Sequence, residues 1–341
     1  MGIATASTDA RRGYDRLATV PAWAACAAAI LLSTAALVAD VSVPPAVRYL
    51  PLVASVVLFG LPHGAIDTFV PARLDDRGLR ESMALVGVAY LVLGGLYAAL
   101  WLVAPVLAAT AFIAITWFHW GQGDLHTLLT FVGADHLRTR PLRAATLVVR
   151  GGLPMLVPLL WFPDRYRAVV DAWVGLFGGG LSAAPLFAVE TRLVVGAAFL
   201  ALTVGTLAAG YRHTGATRGW RIDVGETALL WVLFATVPPL IAIGVYFCGW
   251  HAVRHVLRYT AVGGRPPTRR AFASFAREAA PLTAAALALL VGFAAVVPTV
   301  SGVPTGIEEF VALYLVFIAV LTLPHVVVVT WMDRQEGIWH G

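Results

Sequence analysis

Lysine and asparagine are both missing from this chain of 341 residues, so all 24 basic side chains are arginine. A coding bias suffices to explain that, and the consequences hold whatever the cause. Without lysine, no side chain can form a Schiff base with an aldehyde and no P-loop lysine can reach a nucleotide. A retinal-bearing opsin and a P-loop ATPase are thereby excluded. Charge of either sign is scarce. Only 13% of the residues are charged, against about 25% in a soluble domain. No polar stretch runs much beyond about thirty residues, too short for a soluble domain of its own. Cysteine is nearly absent as well. Cys26 and Cys248 lie in apolar segments, with neither C-x-x-C spacing nor a disulfide framework, and read as inert thiols.

Apolar residues dominate instead, at 59% of the chain. A spanning helix needs about 20 of them in a row. Such runs cover 21–39, 49–70, 82–104, 105–126, 142–161, 191–210, 279–299 and 306–332. The run 225–259 is too long for one crossing, about 50 Å of helix against a hydrocarbon core of about 30 Å. Pro238-Pro239 interrupts it. The first apolar run spans a bilayer and lacks a convincing cleavage site, so it reads as a retained anchor rather than a signal peptide. Segment 168–189, with Gly178-Gly179-Gly180, reads as a surface or re-entrant element.

Arginine placement orients the helices. The N-terminal arm (Arg11, Arg12, Arg16) and the loops 71–81 (Arg73, Arg77, Arg80), 127–143 (Arg138, Arg140, Arg143) and 211–223 (Arg212, Arg218, Arg221) fall on one side. The positive-inside rule makes that side the cytoplasm. Loop 258–277, the most basic, joins them only if 225–259 crosses twice or turns back at its prolines. Glu308 and Glu309 then lie outside and Arg334 inside. The expected architecture is all-α: a polytopic bundle of about 8–10 transmembrane helices, with kinked or broken segments. Residues 1–20 are expected to form a cytoplasmic N-terminal arm, and 21–334 a single transmembrane domain in the cell membrane.

Nine histidines are distributed unevenly. His126, His136, His213 and His340 lie in or beside loops and are expected to be solvated. His63 ("GLPHGAIDTF"), His119 ("TWFHWGQGD"), His251 and His255 ("WHAVRH") and His325 ("LTLPH") lie within spans. In the topology above they arrive at similar depth from separate segments. A single buried histidine is more simply a satisfied hydrogen-bonding group. Five at one depth point to a metal, because neutral imidazole is the commonest metal ligand. His251 and His255, four apart, share one helix face. Asp67, one turn after His63, has the spacing to receive that imidazole's second N–H, and Asp124 after His119 is a weaker case. Trp117, Trp120, Trp250 and Trp331 either line a tunnel or belong to interfacial belts, Trp331 more simply to a belt. Arg254 is expected to face the cytoplasmic headgroups.

The spacing in "HAVRH" matches the H-E-x-x-H of zinc proteases, but Ala252 stands where their general base would be. Di-iron desaturases use about eight histidines in several boxes, and one H-x-x-x-H box without H-x-x-H-H leaves such a centre short of ligands. A haem needs only two axial histidines, so a haem- or carotenoid-binding carrier or assembly factor stays open at this point.

"GLPHGAIDTF", "FHWGQGD", "YFCGWHAVRH" and "LTLPH", in this order, resemble the Brp/Blh family of bacterial and archaeal β-carotene 15,15′-dioxygenases. The resemblance covers about 58–330. It implies a non-haem Fe(II) dioxygenase that cleaves the central C15=C15′ bond of β-carotene with O2 to give two all-trans-retinal. It further implies iron ligands at His63, His119, His251 and His255, with His325 in the wall of the site or just behind the ligands; Asp67 and Asp124 are candidates for that outer position on spacing alone. The implied partners are β-carotene, O2, the lipid bilayer and a retinal-binding opsin as product acceptor, with no nucleic acid. The chain departs from the family pattern at Thr68, where a histidine is expected after the aspartate.

Overall fold

The structure is a computed structural model that describes residues 6–75, 77–181, 185–262, 266–297 and 306–339. Its long elements are helices: α1 (Thr8–Val38), α2 (Ala46–Leu74), α3 (Leu79–Val103), α4 (Pro105–Thr127), α5 (Arg140–Trp161), α6 (Pro163–Gly175), α7 (Val189–Thr214), α8 (Arg218–Thr236), α9 (Pro239–Val262), α10 (Arg269–Ala295) and α11 (Ile307–Gln335). Eight of these are long and apolar enough to cross a membrane. The chain is therefore a multi-pass membrane protein, all-α among the described residues. Helices α4 and α8 fall outside the eight because they carry polar residues, and those residues point inward: His119, Gln122, Asp124, Asp223 and Glu226 are all buried.

Burial sorts the helices into two shells. In α5, α9 and α11, 67% of the apolar window is buried, whereas in α1, α3 and α10 the share is 17%. The outer helices expose large aliphatics, among them Leu31, Leu37, Leu91 and Val291. That is the pattern of a lipid-facing surface, since no hydrophobic force drives such side chains inward in a bilayer. Helix α1 begins at Thr8, inside the stretch read as an arm, and buries Tyr14 and Ala18 against Phe131 and Leu257. Contacts gather the basic loops at one end of the bundle. Arg218 pairs with Asp15 at 3.2 Å, Arg140 donates to the Trp339 carbonyl at 2.8 Å, and Gln335 reaches Asp75 at 3.5 Å.

The run 225–259 divides as its prolines require. Helix α8 stops at Thr236, Val237 is extended, and Pro239 opens α9. The stretch 168–189 resolves into the second half of α6, which walls the interior cavity, and a short turn at Pro185–Phe187. Close helix contacts rest on glycine. A Cβ on Gly121 or Gly151 would run into the facing carbonyl of Leu147 or Trp117, so only glycine lets α4 and α5 approach this far. Regular helix geometry fails around the span histidines. A π turn over Val56–Gly60, Pro62 and a 3-10 turn over Ile66–Phe69 flank His63. A π turn over Tyr246–Ala252 carries His251, and Pro324 precedes His325. Such interruptions re-aim side chains and are common at functional positions.

Candidate metal centre

The span histidines converge. His63 on α2, His119 on α4, His251 and His255 on α9 and His325 on α11 are all buried. Ring centroids lie 4.6 Å apart for His119–His251, 4.7 Å for His119–His325, and 5.0 Å for both His63–His325 and His255–His325. His63 stands 5.7 Å from His251 and 5.4 Å from His255. Nitrogens of His63, His119 and His325 lie within 4.8 Å of one another, as do ligand atoms of Asp67, His255 and His325. His325 thus sits within the ring of imidazoles rather than behind it. Gly123 makes room on α4, where a Cβ would press on the His251 ring at 3.3 Å.

The hydrogen bonds leave free lone pairs. His63 donates from Nδ1 to the Phe59 carbonyl at 2.9 Å, which fixes the tautomer with a bare Nε2. His325 Nδ1 meets Asp67 Oδ2 at 2.7 Å, and His325 Nε2 is buried with no partner. His255 Nε2 is buried and unpartnered too. Unpaired buried polar atoms are costly, and a cation accepting their lone pairs removes the cost. His119 Nε2 and His251 Nε2 stand 3.0 Å apart. Two nitrogens bound to one ion at about 2.1 Å, at right angles, are separated by about 3.0 Å. The donor set, neutral imidazoles with a carboxylate at the edge, suits a borderline ion such as iron(II). These residues fit a metal.

Two carboxylates take other places than their spacing suggests. Asp67 does not hold His63. It receives His325 and the Tyr90 hydroxyl, both at 2.7 Å. The 3-10 turn through Ile66–Phe69 breaks the α-helical register that would have stacked positions 63 and 67. Asp124 is not beside the imidazoles at all. Five residues on from His119 is about 140° around the helix, and there it meets Trp250 Nε1 at 2.9 Å, Arg254 at 3.2 Å and Arg150 at 3.1 Å.

Arg254 does not face headgroups; it is 3% exposed. It pairs with Glu226 at 2.6 Å and stacks 3.9 Å over the Trp250 ring. Arg150 also pairs with Glu226. A buried charge persists only with partners, and these come from α4 and α8, which no local pattern reveals. Likewise His126 and His136 are buried rather than solvated, against Glu336 at 3.3 Å and Asp223 at 3.0 Å. His213 is exposed, and His340 lies outside the described residues.

An apolar cavity of about 350 Å³ meets the histidine cluster at His63, His119 and His325. Of the four tryptophans considered, Trp120 lines it. Trp117 donates to the Val148 carbonyl, Trp250 belongs to the charge cluster, and Trp331 packs with Tyr259 and Phe275. Thr68 borders the cavity with its hydroxyl buried and unpaired. Sequence reasoning missed Tyr90, whose only signal was a hydroxyl in an apolar span, and Tyr166 and Trp173 on α6, which carried none.

Comparison with known proteins agrees with this geometry. The profile of the beta-carotene 15,15'-dioxygenase family matches residues 54–333. The chain is 54% identical over 337 residues to the probable beta-carotene 15,15'-dioxygenase Blh of Halobacterium salinarum, covering 96% of each chain. It is 35% identical over 304 residues to the probable beta-carotene 15,15'-dioxygenase Brp of the same species, covering 83% of each. A beta-carotene 15,15'-dioxygenase of an uncultured marine bacterium is 24% identical over 203 residues, 59% of this chain and 66% of that one. No solved structure matches. With a profile match over most of its length, and relatives aligned nearly end to end, the chain belongs to the beta-carotene 15,15'-dioxygenase family.

Proposed function

We propose that this protein cleaves the central C15=C15′ double bond of β-carotene with O2 to give two all-trans-retinal, using a non-haem iron(II) held among His63, His119, His251, His255 and His325. The observation that carries the reading is the joining of two features. A cluster of buried imidazoles with unshared lone pairs opens directly onto an apolar cavity. The four family ligand positions are all histidine here, and His325 adds a fifth imidazole on geometry alone. Iron(II) held by neutral imidazoles would keep its full charge and would supply the activation of O2.

The chain's own residues do the rest. His63 is aimed by its bond to the Phe59 carbonyl, and His325 by Asp67, which Tyr90 steadies in turn. Apolar walls exclude water and hold a hydrocarbon that has no polar group to bind. One double bond and one O2 give two aldehydes, each keeping one oxygen atom, so no reductant is needed. A haem fits poorly. With imidazole nitrogens 3.0 Å apart there is no space for a porphyrin between them.

In this reading the protein lies in the cell membrane with its N-terminus in the cytoplasm, because the arginine-rich loops share one end of the bundle. Its product would supply a retinal-binding opsin. Expression in cells that accumulate β-carotene tests the function. Loss of colour with appearance of retinal is expected, and unchanged β-carotene beside abundant inserted protein would reject it.

A further inference from the structure

The apolar cavity has two unlike ends. Among its lining residues, Gly87 on α3 and Ala285 and Leu289 on α10 are exposed on the outer surface of the bundle. The others are buried or half-buried. The mouth therefore opens on the lipid-facing belt, and a hydrocarbon dissolved in the bilayer reaches the histidines without crossing water. The other end lies against α6. Val169 and Trp173 on α6, Pro239 and Leu240 on α9 and Leu315 on α11 line both the cavity and a second depression. That depression is bordered by Arg48, Arg165 and Glu308. These five residues stand between the apolar chamber and a depression with charged side chains at its border. Trp173 is the largest of them, 9% exposed and packed edge-on against Phe112 at 5.4 Å.

We propose that Trp173 is the stop against which one end of the polyene rests, so that the spacing between this wall and the histidine cluster selects the double bond that is cleaved. The inference rests on the reading of the chain as a β-carotene-cleaving enzyme. A polyene repeats nearly identical double bonds and carries no polar group, so hydrogen bonds cannot set its register. Only a wall meeting its bulky ring can do so. β-Carotene is symmetrical, so either end can lead and one stop suffices to select the central bond. Beyond Trp173 the depression bordered by Arg48, Arg165 and Glu308 is no place for a hydrocarbon ring.

A shift of register alters the lengths of the two carbonyl products and leaves the stoichiometry of one double bond and one O2 unchanged, so the test reads product identity. Full-length Trp173→Ala in membranes is supplied with β-carotene, and the products are separated by chromatography and identified by mass. The expected result is a new pair of carbonyl fragments, one longer and one shorter than retinal, beside or in place of retinal; cleavage at a methyl-bearing double bond gives one ketone and one aldehyde. Iron content should stay at the wild-type level. If Trp173→Ala fails to insert, Leu240→Ala thins the same wall and carries the same expectation. Retinal as the sole product, or loss of all cleavage in both variants with iron retained, would overturn the proposal. Wild-type protein that makes no retinal would instead overturn the functional reading and leave nothing for a stop to regulate.

Discussion

His325 and Asp67, 258 positions apart, share a 2.7 Å hydrogen bond between imidazole Nδ1 and carboxylate Oδ2. The bond leaves His325 Nε2 bare and turned into the cluster, where it is buried without a partner. A carboxylate behind a ligand imidazole fixes its tautomer and raises its basicity. Asp67→Asn should therefore lower iron affinity about 10–100-fold, and Tyr90→Phe, which removes one hydrogen bond to that carboxylate, by roughly fivefold. Iron titration of purified protein measures both. Wild-type affinity in Asp67→Asn would remove the carboxylate from any tuning role.

The histidines themselves should behave as a set. His63→Ala, His119→Ala, His251→Ala, His255→Ala and His325→Ala should each cut retinal formation by about 100-fold or more while the protein still inserts. Iron content should fall in parallel. His325→Ala is the informative member, because its ligand role comes from geometry alone. Full iron occupancy in that variant would return His325 to the cavity wall.

Behind the cluster, Arg254 and Arg150 pair with Glu226, Asp124 and Asp223 inside the bundle. Removing one member of such a set strands its partners. Arg254→Met should destabilise the protein by about 3–5 kcal/mol, and adding Glu226→Gln should recover part of the loss because the two sites are coupled. Thermal unfolding in detergent reads both variants. Equal melting temperatures for wild type and Arg254→Met would mean that the pair contributes no net stability.

The cavity mouth predicts a kinetic split. A Cβ at Gly87 meets nothing, so Gly87→Trp should fold and plug the opening. It should raise KM for β-carotene about tenfold and leave kcat within about twofold, the pattern of impaired access rather than impaired chemistry. Iron content should not change. Unaltered KM would place the way in between other helices.

Much of the fold was legible because a bilayer imposes its own length and polarity rules on a chain. Runs of apolar residues announced the spans, and two adjacent prolines announced the break between α8 and α9. The site was half legible for a related reason. Histidine is costly in lipid, so His63, His119, His251, His255 and His325 were conspicuous. Second partners were not. Helical spacing paired Asp67 with His63, whereas a local 3-10 turn delivered it to His325. Arg254, His126 and His136 looked solvated because their partners, Glu226, Glu336 and Asp223, are far away in sequence.

The sequence by itself determined that this is a helical membrane protein with five intramembrane histidines, and its ordered motifs pointed to the family. Cost per residue in hydrocarbon depends on residue type and local neighbours, which a sequence displays. Only the tertiary structure decided which nitrogens stay unpaired, which carboxylate serves which imidazole, and where the apolar chamber opens and ends. Those are properties of distances between helices, and no single segment carries them. Trp173 marks the difference: an unremarked residue in a surface-like stretch, it lines the chamber that the histidines face.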